Sequence, residues 1–110
     1  MNIQIFGTKS CNETRKAERY FKERRIQFHF RDLNEKGIAK GELDNICRVF
    51  SLDELIDRKG RQFKKRNMQY MKFDVEEELL ADSLLLKTPI VRNGKEVTIG
   101  YTPEIWKTWE

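Results

Sequence analysis

The stretch IQIFGTKSCNETRKAERYF, residues 3–21, decides the fold that this sequence predicts. Its first residues, Ile3–Phe6, form a mostly apolar run of strand length, and Gly7 interrupts that run. The later apolar residues recur at the i, i+3, i+4 spacing of one helix face, as Ala17, Tyr20 and Phe21. The stretch therefore predicts a strand, a short loop and an amphipathic helix that begins close to Cys11 and ends near residue 24 or 25.

Cys11, at the start of that helix, is the strongest functional signal in the chain. Asn12 and Thr14 are candidate residues for the helix cap and for binding a substrate or anion. A thiol at this position meets unpaired backbone N–H groups and the positive end of the helix dipole. Lys9 and Arg15 add positive charge nearby in sequence. Because these features favour the nucleophilic thiolate, we predict a reactive cysteine.

Each of the two cysteines has a second interpretation. Cys11 could be a small, inert core residue, but its immediate neighbours are polar or charged, which a core position would not select. Cys47 lies within a predicted helix that begins near Gly41 and runs to Phe50, and its spacing assigns it to the apolar face of that helix. We expect Cys47 in the core; the alternative is a resolving partner for Cys11.

Composition limits the classes of protein to consider. The 110 residues, with 36% charged and 38% hydrophobic, predict a single domain, 1–110, with one core and a charged surface. Two cysteines and one histidine are too few for a disulfide scaffold or a zinc site. Without a membrane-length apolar run or a secretory leader, we expect a cytoplasmic protein, and its net charge is +4. That charge favours anionic ligands without identifying nucleic acid, and we expect no direct nucleic-acid contact, no membrane contact and a monomer.

The middle of the chain predicts a second strand followed by helices. Residues 26–32 alternate around Phe28 and Phe30, which is typical of a strand; His29 lies on the opposite face, where we interpret it as a strand residue without a catalytic role. Ser51 begins a capping box and a short helix. Residues 58–66 are dense in positive charge, which is typical of a solvated surface or of a partner-binding patch. A further helix begins near Asp74 and continues to the Lys87-Thr88-Pro89 segment.

The last third predicts a hairpin and a final helix. Ile90–Arg92 and Glu96–Ile99 flank Asn93-Gly94, a pair suited to a type I′ turn. Thr102-Pro103-Glu104 has the cap, the first-turn proline and the acidic residue of a helix start. The complete order is β-α-β, a helical insertion at about residues 39–86, then β-β-α. We therefore predict an α/β protein of thioredoxin-like fold, with a four-stranded mixed sheet flanked by helices.

The order of these elements and several local motifs resemble the ArsC/Spx family over essentially the whole chain. That family includes glutaredoxin-linked arsenate reductases and Spx-type transcription regulators. Five segments carry the resemblance: Ile5-Phe6-Gly7, Ser10–Ala17, Arg58-Lys59, Thr88–Val91 and Ile99-Gly100-Tyr101. Together they are fairly specific for the family and not for one activity.

The resemblance implies roles for individual residues. Cys11 becomes the redox thiol, Arg15 its neighbour at the helix start, and Arg58 matches an arginine that helps to bind the oxyanion or product in the reductases. Thr88-Pro89 becomes the pair with a cis bond that faces the cysteine. A cis bond before proline costs little, so the sequence permits it.

Three departures from the family pattern change what is expected. Spx-type redox switches carry a second cysteine where this chain has Thr14, so that switch cannot form. The reductases carry arginines where this chain has Thr88 and, approximately, Gly100. Lys87, Arg92 or Lys95 could supply positive charge, and we include Arg92 among the candidate anion-binding residues, although a lysine lacks the bidentate geometry of a guanidinium.

Two functional hypotheses follow. In the first, Cys11 reduces a disulfide or an oxyanion such as arsenate, with no bound cofactor or metal, glutathione or a similar small thiol as co-substrate, and a glutaredoxin-like protein as a partner. In the second, the protein is a non-enzymatic, Spx-like regulator that binds the α subunit of RNA polymerase. The positively charged 58–66 segment and the whole-chain resemblance motivate the second hypothesis.

Overall fold

The computed structural model describes residues 1–110, which divide into two compact units. The first, called here the sheet unit, comprises residues 1–33 and 88–110; the second, the helical unit, comprises residues 34–87. The helical unit contains the segment that the sequence predicts as an insertion at about residues 39–86. No helix combines the length and apolar character required to cross a membrane.

The sheet unit contains four strands: β1 (Ile3–Gly7), β2 (Phe28–Asp32), β3 (Ile90–Asn93) and β4 (Glu96–Ile99). The strand order is β2-β1-β3-β4. β1 pairs in parallel with β2, whereas β1–β3 and β3–β4 are antiparallel, so the sheet is mixed. The predicted α/β class, the four-stranded mixed sheet and the thioredoxin-like order of elements are confirmed.

Two helices complete the sheet unit, α1 (Asn12–Glu23) and α6 (Pro103–Trp106), and a short 3₁₀ turn, Lys107–Trp109, follows α6. The core consists of fully or nearly fully buried apolar side chains from β1, α1, β3 and α6: Ile3, Ile5, Ala17, Tyr20, Phe21, Val91 and Trp106. The indole N–H of Trp106 donates a hydrogen bond to the hydroxyl of Thr98 at 2.8 Å, so the buried indole keeps a polar partner. This packing anchors α1 against the sheet and thereby holds the residue that precedes the helix.

The helical unit contains α2 (Lys40–Ile46), α3 (Leu52–Leu55), α4 (Arg61–Lys65) and α5 (Val75–Ala81), with 3₁₀ turns at Met68–Tyr70 and Ser83–Leu85. Its buried side chains are mainly apolar, and each helix contributes some of them, including Leu43, Ile46, Leu55, Phe63 and Leu79. The capping box predicted at Ser51 is confirmed, since its hydroxyl accepts from the Glu54 N–H while the Glu54 carboxylate accepts from the Ser51 N–H.

Several predicted boundaries are wrong. The second strand begins at Phe28 rather than residue 26. Arg25 adopts a left-handed conformation (φ 58°), and the Ile26 N–H donates a hydrogen bond to the Phe21 carbonyl, so residues 25 and 26 terminate α1 instead of starting the strand. α2 ends at Ile46 rather than near residue 50, and its last turn tightens into i→i+3 bonds such as Val49 N–H to Ile46 O.

The predicted helix from residue 74 to the proline segment is also wrong at its end. α5 stops at Ala81 because the Asp82 carboxylate accepts from the Leu84 N–H and so caps a separate 3₁₀ turn. The hairpin turn differs as well, since Asn93 pairs with Glu96 and only Gly94 has a positive φ (60°). A type I′ turn would need positive φ at both central residues, so the loop is Gly94-Lys95 with glycine first.

Candidate functional site: the thiol before helix α1

Cys11 is the residue immediately before α1 and occupies the N-cap position. Its backbone is extended (φ −82°, ψ 118°), and its carbonyl already accepts the first helical hydrogen bond from the Arg15 N–H. The Cys11 N–H donates to the carbonyl of Thr8 at 3.1 Å, which closes the loop after β1. In this position a side chain faces the unpaired N–H groups of the first helical turn, and the side chain of Cys11 is half-buried.

Thr88, the residue before Pro89, lies directly against the sulfur. The Thr88 hydroxyl donates a hydrogen bond to Cys11 Sγ at 3.2 Å, and the Thr88 carbonyl oxygen lies 3.8 Å from Sγ, where it can accept from a protonated thiol. The Thr88–Pro89 bond is cis, and the Pro89 carbonyl accepts from the Gly100 N–H at 2.8 Å. Residues that are 77 positions apart in sequence therefore meet at one thiol.

Thr14 lies on the helix side of the site and depends on Gly7 for its space. A Cβ at Gly7 would come within 2.4 Å of the Thr14 hydroxyl oxygen, so any larger residue at the end of β1 would displace Thr14. Thr14 is fully buried, and its hydroxyl makes no hydrogen bond of normal geometry. That hydroxyl therefore stays available to the neighbouring sulfur.

The surroundings of Cys11 lower its pKa. Burial alone would raise the pKa of this thiol, but the hydroxyls of Thr14 and Thr88 and the backbone N–H groups of Thr14 and Glu13 stabilise the thiolate and outweigh that effect. The resulting pKa of Cys11 lies below the ordinary value for a thiol. The site thus combines access to solvent with a larger thiolate fraction, which are the two requirements for a nucleophilic cysteine.

The other predicted residues near the start of α1 are exposed. The Arg15 guanidinium donates to the side-chain oxygen of Asn12, so these two side chains pair with each other at the first turn. Lys9 lies in the exposed loop before Cys11. Arg92 is not at the thiol: it donates to Gln4 at 3.1 Å and to the Gly94 carbonyl at 3.3 Å, at the hairpin end of β3. The candidate role of Arg92 in anion binding beside Cys11 therefore lacks support from its position.

Arg58 belongs to the helical unit, after α3. Its guanidinium pairs with the carboxylate of Asp53 at 3.1 Å and lies 5.9 and 5.5 Å from the ring centroids of Phe63 and Phe73. At the other end of the 58–66 segment, Arg66 pairs with Glu78 and Asp82. The segment is therefore only partly the free positive patch that its composition suggests.

Cys47 is not a core residue, contrary to the prediction. It occupies the C-cap of α2, still in a helical backbone conformation, and is half-buried. Burial raises the pKa of Cys47, and the carboxylates of Asp44 and Glu76 raise it further. Its thiol is consequently protonated over a wider pH range than that of Cys11.

Two functional contacts escaped the sequence reasoning. The first is the hydrogen bond from the Thr88 hydroxyl to Sγ. The family resemblance implies that Thr88-Pro89 faces the cysteine, but nothing in the local sequence identifies Thr88 as the donor, because the residues come together only when β1 and β3 pair. The second is the space that Gly7 leaves for Thr14. A glycine at the end of a predicted strand is a recognisable sign of close approach, although it does not say which residue approaches. No group of three or more histidine, cysteine, aspartate or glutamate side chains is arranged to hold a metal ion.

This geometry defines the class: a thioredoxin-like protein with one cysteine at the start of its first helix, facing a cis-proline. Residues 6–109 match the family model described as the ArsC family, and the chain belongs to that family.

Individual relatives carry different names. The chain is 32% identical over 106 residues to the global transcriptional regulator Spx 2 of Oceanobacillus iheyensis, an alignment that covers 92% of this chain and 78% of that protein. Among solved structures, a putative ArsC family related protein from Bacteroides fragilis superposes with a TM-score of 0.80 at 20% identity, over 100% of both chains. An arsenate reductase from Vibrio cholerae superposes with a TM-score of 0.78 at 16% identity, over 96% of this chain and 94% of that one. The two structural likenesses concern the fold.

Proposed function

We propose that this ArsC-family protein is a thiol oxidoreductase that acts through the single thiol of Cys11 together with an external thiol. The observation that carries the proposal is the hydrogen bond from Thr88 to a half-exposed sulfur at the start of α1. An inert structural cysteine needs neither a lowered pKa nor two hydroxyl groups beside it. A reducing compartment such as the cytoplasm suits a thiol of this kind.

The reaction proceeds by two thiol–disulfide exchanges. The Cys11 thiolate attacks one sulfur of a disulfide RSSR, forming the mixed disulfide Cys11–S–S–R and releasing RS⁻, which takes up a proton. The thiolate of a second molecule, R′S⁻, then attacks the R sulfur of the mixed disulfide. This step forms RSSR′ and releases Cys11 as a thiolate, which the Thr88 hydroxyl and the N–H groups of Glu13 and Thr14 stabilise as the leaving group.

The second thiol comes from outside the chain in this proposal. The position three residues after Cys11 holds Thr14, so no neighbouring cysteine is available on α1 to resolve the mixed disulfide. Cys47 has a raised pKa and belongs to the other unit. A small thiol such as glutathione meets the requirement, and a glutaredoxin-like protein then reduces the mixed disulfide RSSR′ that is released.

A disulfide suits the site better than an arsenic oxyanion. Binding of a tetrahedral oxyanion favours bidentate guanidinium groups. In the sheet unit, Arg15 is paired with Asn12, and Arg92 is held by Gln4 and the Gly94 carbonyl. The two positions where the family resemblance leads one to expect arginine hold Thr88 and Gly100. We therefore expect disulfide reduction to exceed arsenate reduction.

The test compares wild type with Cys11→Ser and Cys47→Ser in glutathione-coupled assays with a disulfide and with arsenate. Cys11→Ser should lose at least about 99% of the disulfide activity, because the nucleophile of a covalent mechanism is removed. Cys47→Ser is the matched control and should stay within about twofold of wild type. Equal rates for wild type and Cys11→Ser would end the proposal.

A second function, regulation of transcription through RNA polymerase, is favoured by one observation. The Spx 2 relative, at 32% identity over nearly the whole chain, is named as a global transcriptional regulator. This function needs a binding surface and no turnover. Retention of the protein on the immobilised C-terminal domain of the polymerase α subunit at low salt would support it, and the absence of retention would remove it.

A further inference from the structure

A cleft beside helix α1 lies within the sheet unit and has no role in the function proposed so far. Its volume is about 460 Å³, and one wall is the second half of α1 while the other is the segment from Tyr101 through α6. Four of its lining residues are cations: Lys16, Arg19, Arg24 and Lys107. Glu23 is the single acidic residue in the lining, so the cleft carries a net positive charge.

Three of the four cations are available to a ligand. Arg24 is already engaged, since it pairs with the Glu110 carboxylate at 3.3 Å and stacks at 3.8 Å over the Tyr20 ring. Lys16 lies 5.8 Å from the centre of the Tyr101 ring and makes no ion pair. Arg19 and Lys107 are exposed and make no ion pair either. The free charges therefore lie along the cleft, with Arg24 fixed at its far end.

The cleft begins where the thiol site ends. The Gly100 N–H donates to the carbonyl of Pro89, the residue that follows the Thr88 contact with Cys11. A Cβ at Gly100 would lie 3.8 Å from the carboxylate of Glu13, in the first turn of α1. The next residue, Tyr101, already lines the cleft. A ligand bound through its sulfur at Cys11 would therefore pass the Glu13 carboxylate at Gly100 before it reaches the cations of the cleft.

Length decides which ligand uses the available charges. At 1.5 Å of rise per residue, Lys16 lies about 8 Å and Arg19 about 12 Å from Cys11 along the axis of α1. An extended peptide advances about 3.3 Å per residue, so side chains two to four residues from a reacting cysteine reach both cations. The carboxylates of a tripeptide thiol lie within about one or two residues of its sulfur and reach Lys16 at most.

On these grounds we propose that the cleft binds an acidic peptide segment of a protein substrate, located two to four residues from the cysteine that exchanges with Cys11. This proposal rests on the proposed thiol chemistry and identifies its substrate class. The charges of the cleft select the partner, and the thiol at its mouth then forms the mixed disulfide. Electrostatic complementarity of this kind acts mainly on the association rate and weakens with added salt.

The experiment uses three synthetic peptides, each with one cysteine held as a mixed disulfide with 2-thiopyridine. Glutamate, glutamine or lysine occupies the third and fourth positions after that cysteine. Attack by Cys11 forms a disulfide with the peptide sulfur and releases 2-thiopyridine, whose absorbance reports the rate. At low ionic strength the glutamate peptide should react about tenfold faster than the glutamine peptide, and the lysine peptide more slowly than both.

Charge reversal provides the decisive variants. Arg19→Glu combined with Lys107→Glu should reduce the preference for the glutamate peptide to less than about twofold. Lys36→Glu combined with Lys72→Glu, which changes the net charge equally at exposed positions outside the cleft, should retain the preference. A neutral small disulfide, 2,2′-dithiodipyridine, should react equally with all these proteins.

Three other outcomes would overturn either the cleft proposal alone or both proposals. Equal rates with the glutamate and glutamine peptides, with Cys11 reactive toward the neutral disulfide, would remove the cleft proposal alone. A glutathione–thiopyridine mixed disulfide that matched the glutamate peptide in rate and in sensitivity to charge reversal would also remove it, by assigning the cleft to a small thiol. Failure of Cys11 to react with the neutral disulfide would remove the proposed function and this proposal together.

Discussion

The two cysteines of this chain are both half-buried beside helices, yet their surroundings have opposite effects. Cys11 precedes α1, where backbone N–H groups and the Thr88 hydroxyl favour the thiolate. Cys47 follows α2, where the chain presents carbonyl groups, and the carboxylates of Asp44 and Glu76 oppose ionisation. The comparison shows that exposure alone does not make a cysteine reactive. The end of the helix and the charges around it decide the ionisation.

Alkylation tests this comparison with the largest expected effect. With iodoacetamide at about pH 7, Cys11 should be modified on the order of tenfold faster than Cys47, because only the thiolate reacts. Mass spectrometry of digested samples gives the two rates separately. Unfolded protein in denaturant is the control, since the two thiols should then react at similar rates. Equal rates in the folded protein would contradict the predicted difference in ionisation between the two thiols.

Substitution of two glycines tests how closely the Cys11 region is packed. Gly7→Ala places a Cβ against Thr14, and we expect it to lower the free energy of unfolding by about 1–3 kcal/mol. Gly41→Ala, in the first turn of α2, meets nothing within 4 Å and should raise that free energy by about 0.5–1 kcal/mol.

Denaturant unfolding of both variants measures these changes. Gly7→Ala should also slow alkylation of Cys11, because displacement of Thr14 moves one hydroxyl that stabilises the thiolate. A Gly7→Ala variant with wild-type stability would show that the contact between β1 and α1 is looser than the structure indicates.

Removal of the Thr88 hydroxyl should have the smallest effect. Thr88→Val keeps the shape of the side chain but removes the donor at 3.2 Å, so the pKa of Cys11 should rise. The pH dependence of alkylation measures the change, and Thr88→Ser, which retains the hydroxyl, is the control. If the pH profiles of Thr88→Val and wild type coincided, Thr88 would have no part in activating the thiol.

Thr88→Val should also change how the free energy of unfolding depends on pH, in a direction that the pKa shift of Cys11 determines. A thiol whose pKa is lower in the folded than in the unfolded state contributes stability that is present above its unfolded pKa, about 8.5. That contribution is lost as the pH falls through the folded pKa. Wild type should therefore gain stability relative to Thr88→Val as the pH rises toward the unfolded pKa. Cys47 has the opposite sign, since its raised pKa makes folding less favourable above about pH 8.5.

The sequence predicts the elements whose signals are local. The strand and helix around Cys11 follow from the apolar spacing of Ile3–Phe21, and the last helix follows from Thr102-Pro103-Glu104. The end of α5 could not be predicted in the same way. Asp82 caps the next turn while it also accepts from Gln62 and Arg66, which lie 20 and 16 residues earlier in the chain.

The features of the candidate site likewise fall into those with a local sequence signal and those that depend on tertiary contacts. Cys11 could be identified from its own neighbours in sequence, because a helix start has a local signature. The hydrogen bond from Thr88 depends on pairing between β1 and β3, and the sequence shows the charge of Arg92 without showing its partner, Gln4. The pKa shift of Cys11 thus combines a local contribution that sequence can indicate with a tertiary one that it cannot.

The backbone at Gly100 also limits how this chain could evolve toward another chemistry. Its φ of 84° is readily adopted only by glycine, so an arginine at this position would require the loop before Tyr101 to be rebuilt. At position 88, an arginine would gain a guanidinium but remove the hydroxyl that donates to the thiol. Specialisation for oxyanions and activation of this sulfur therefore compete for the same few positions, and no single substitution can provide both.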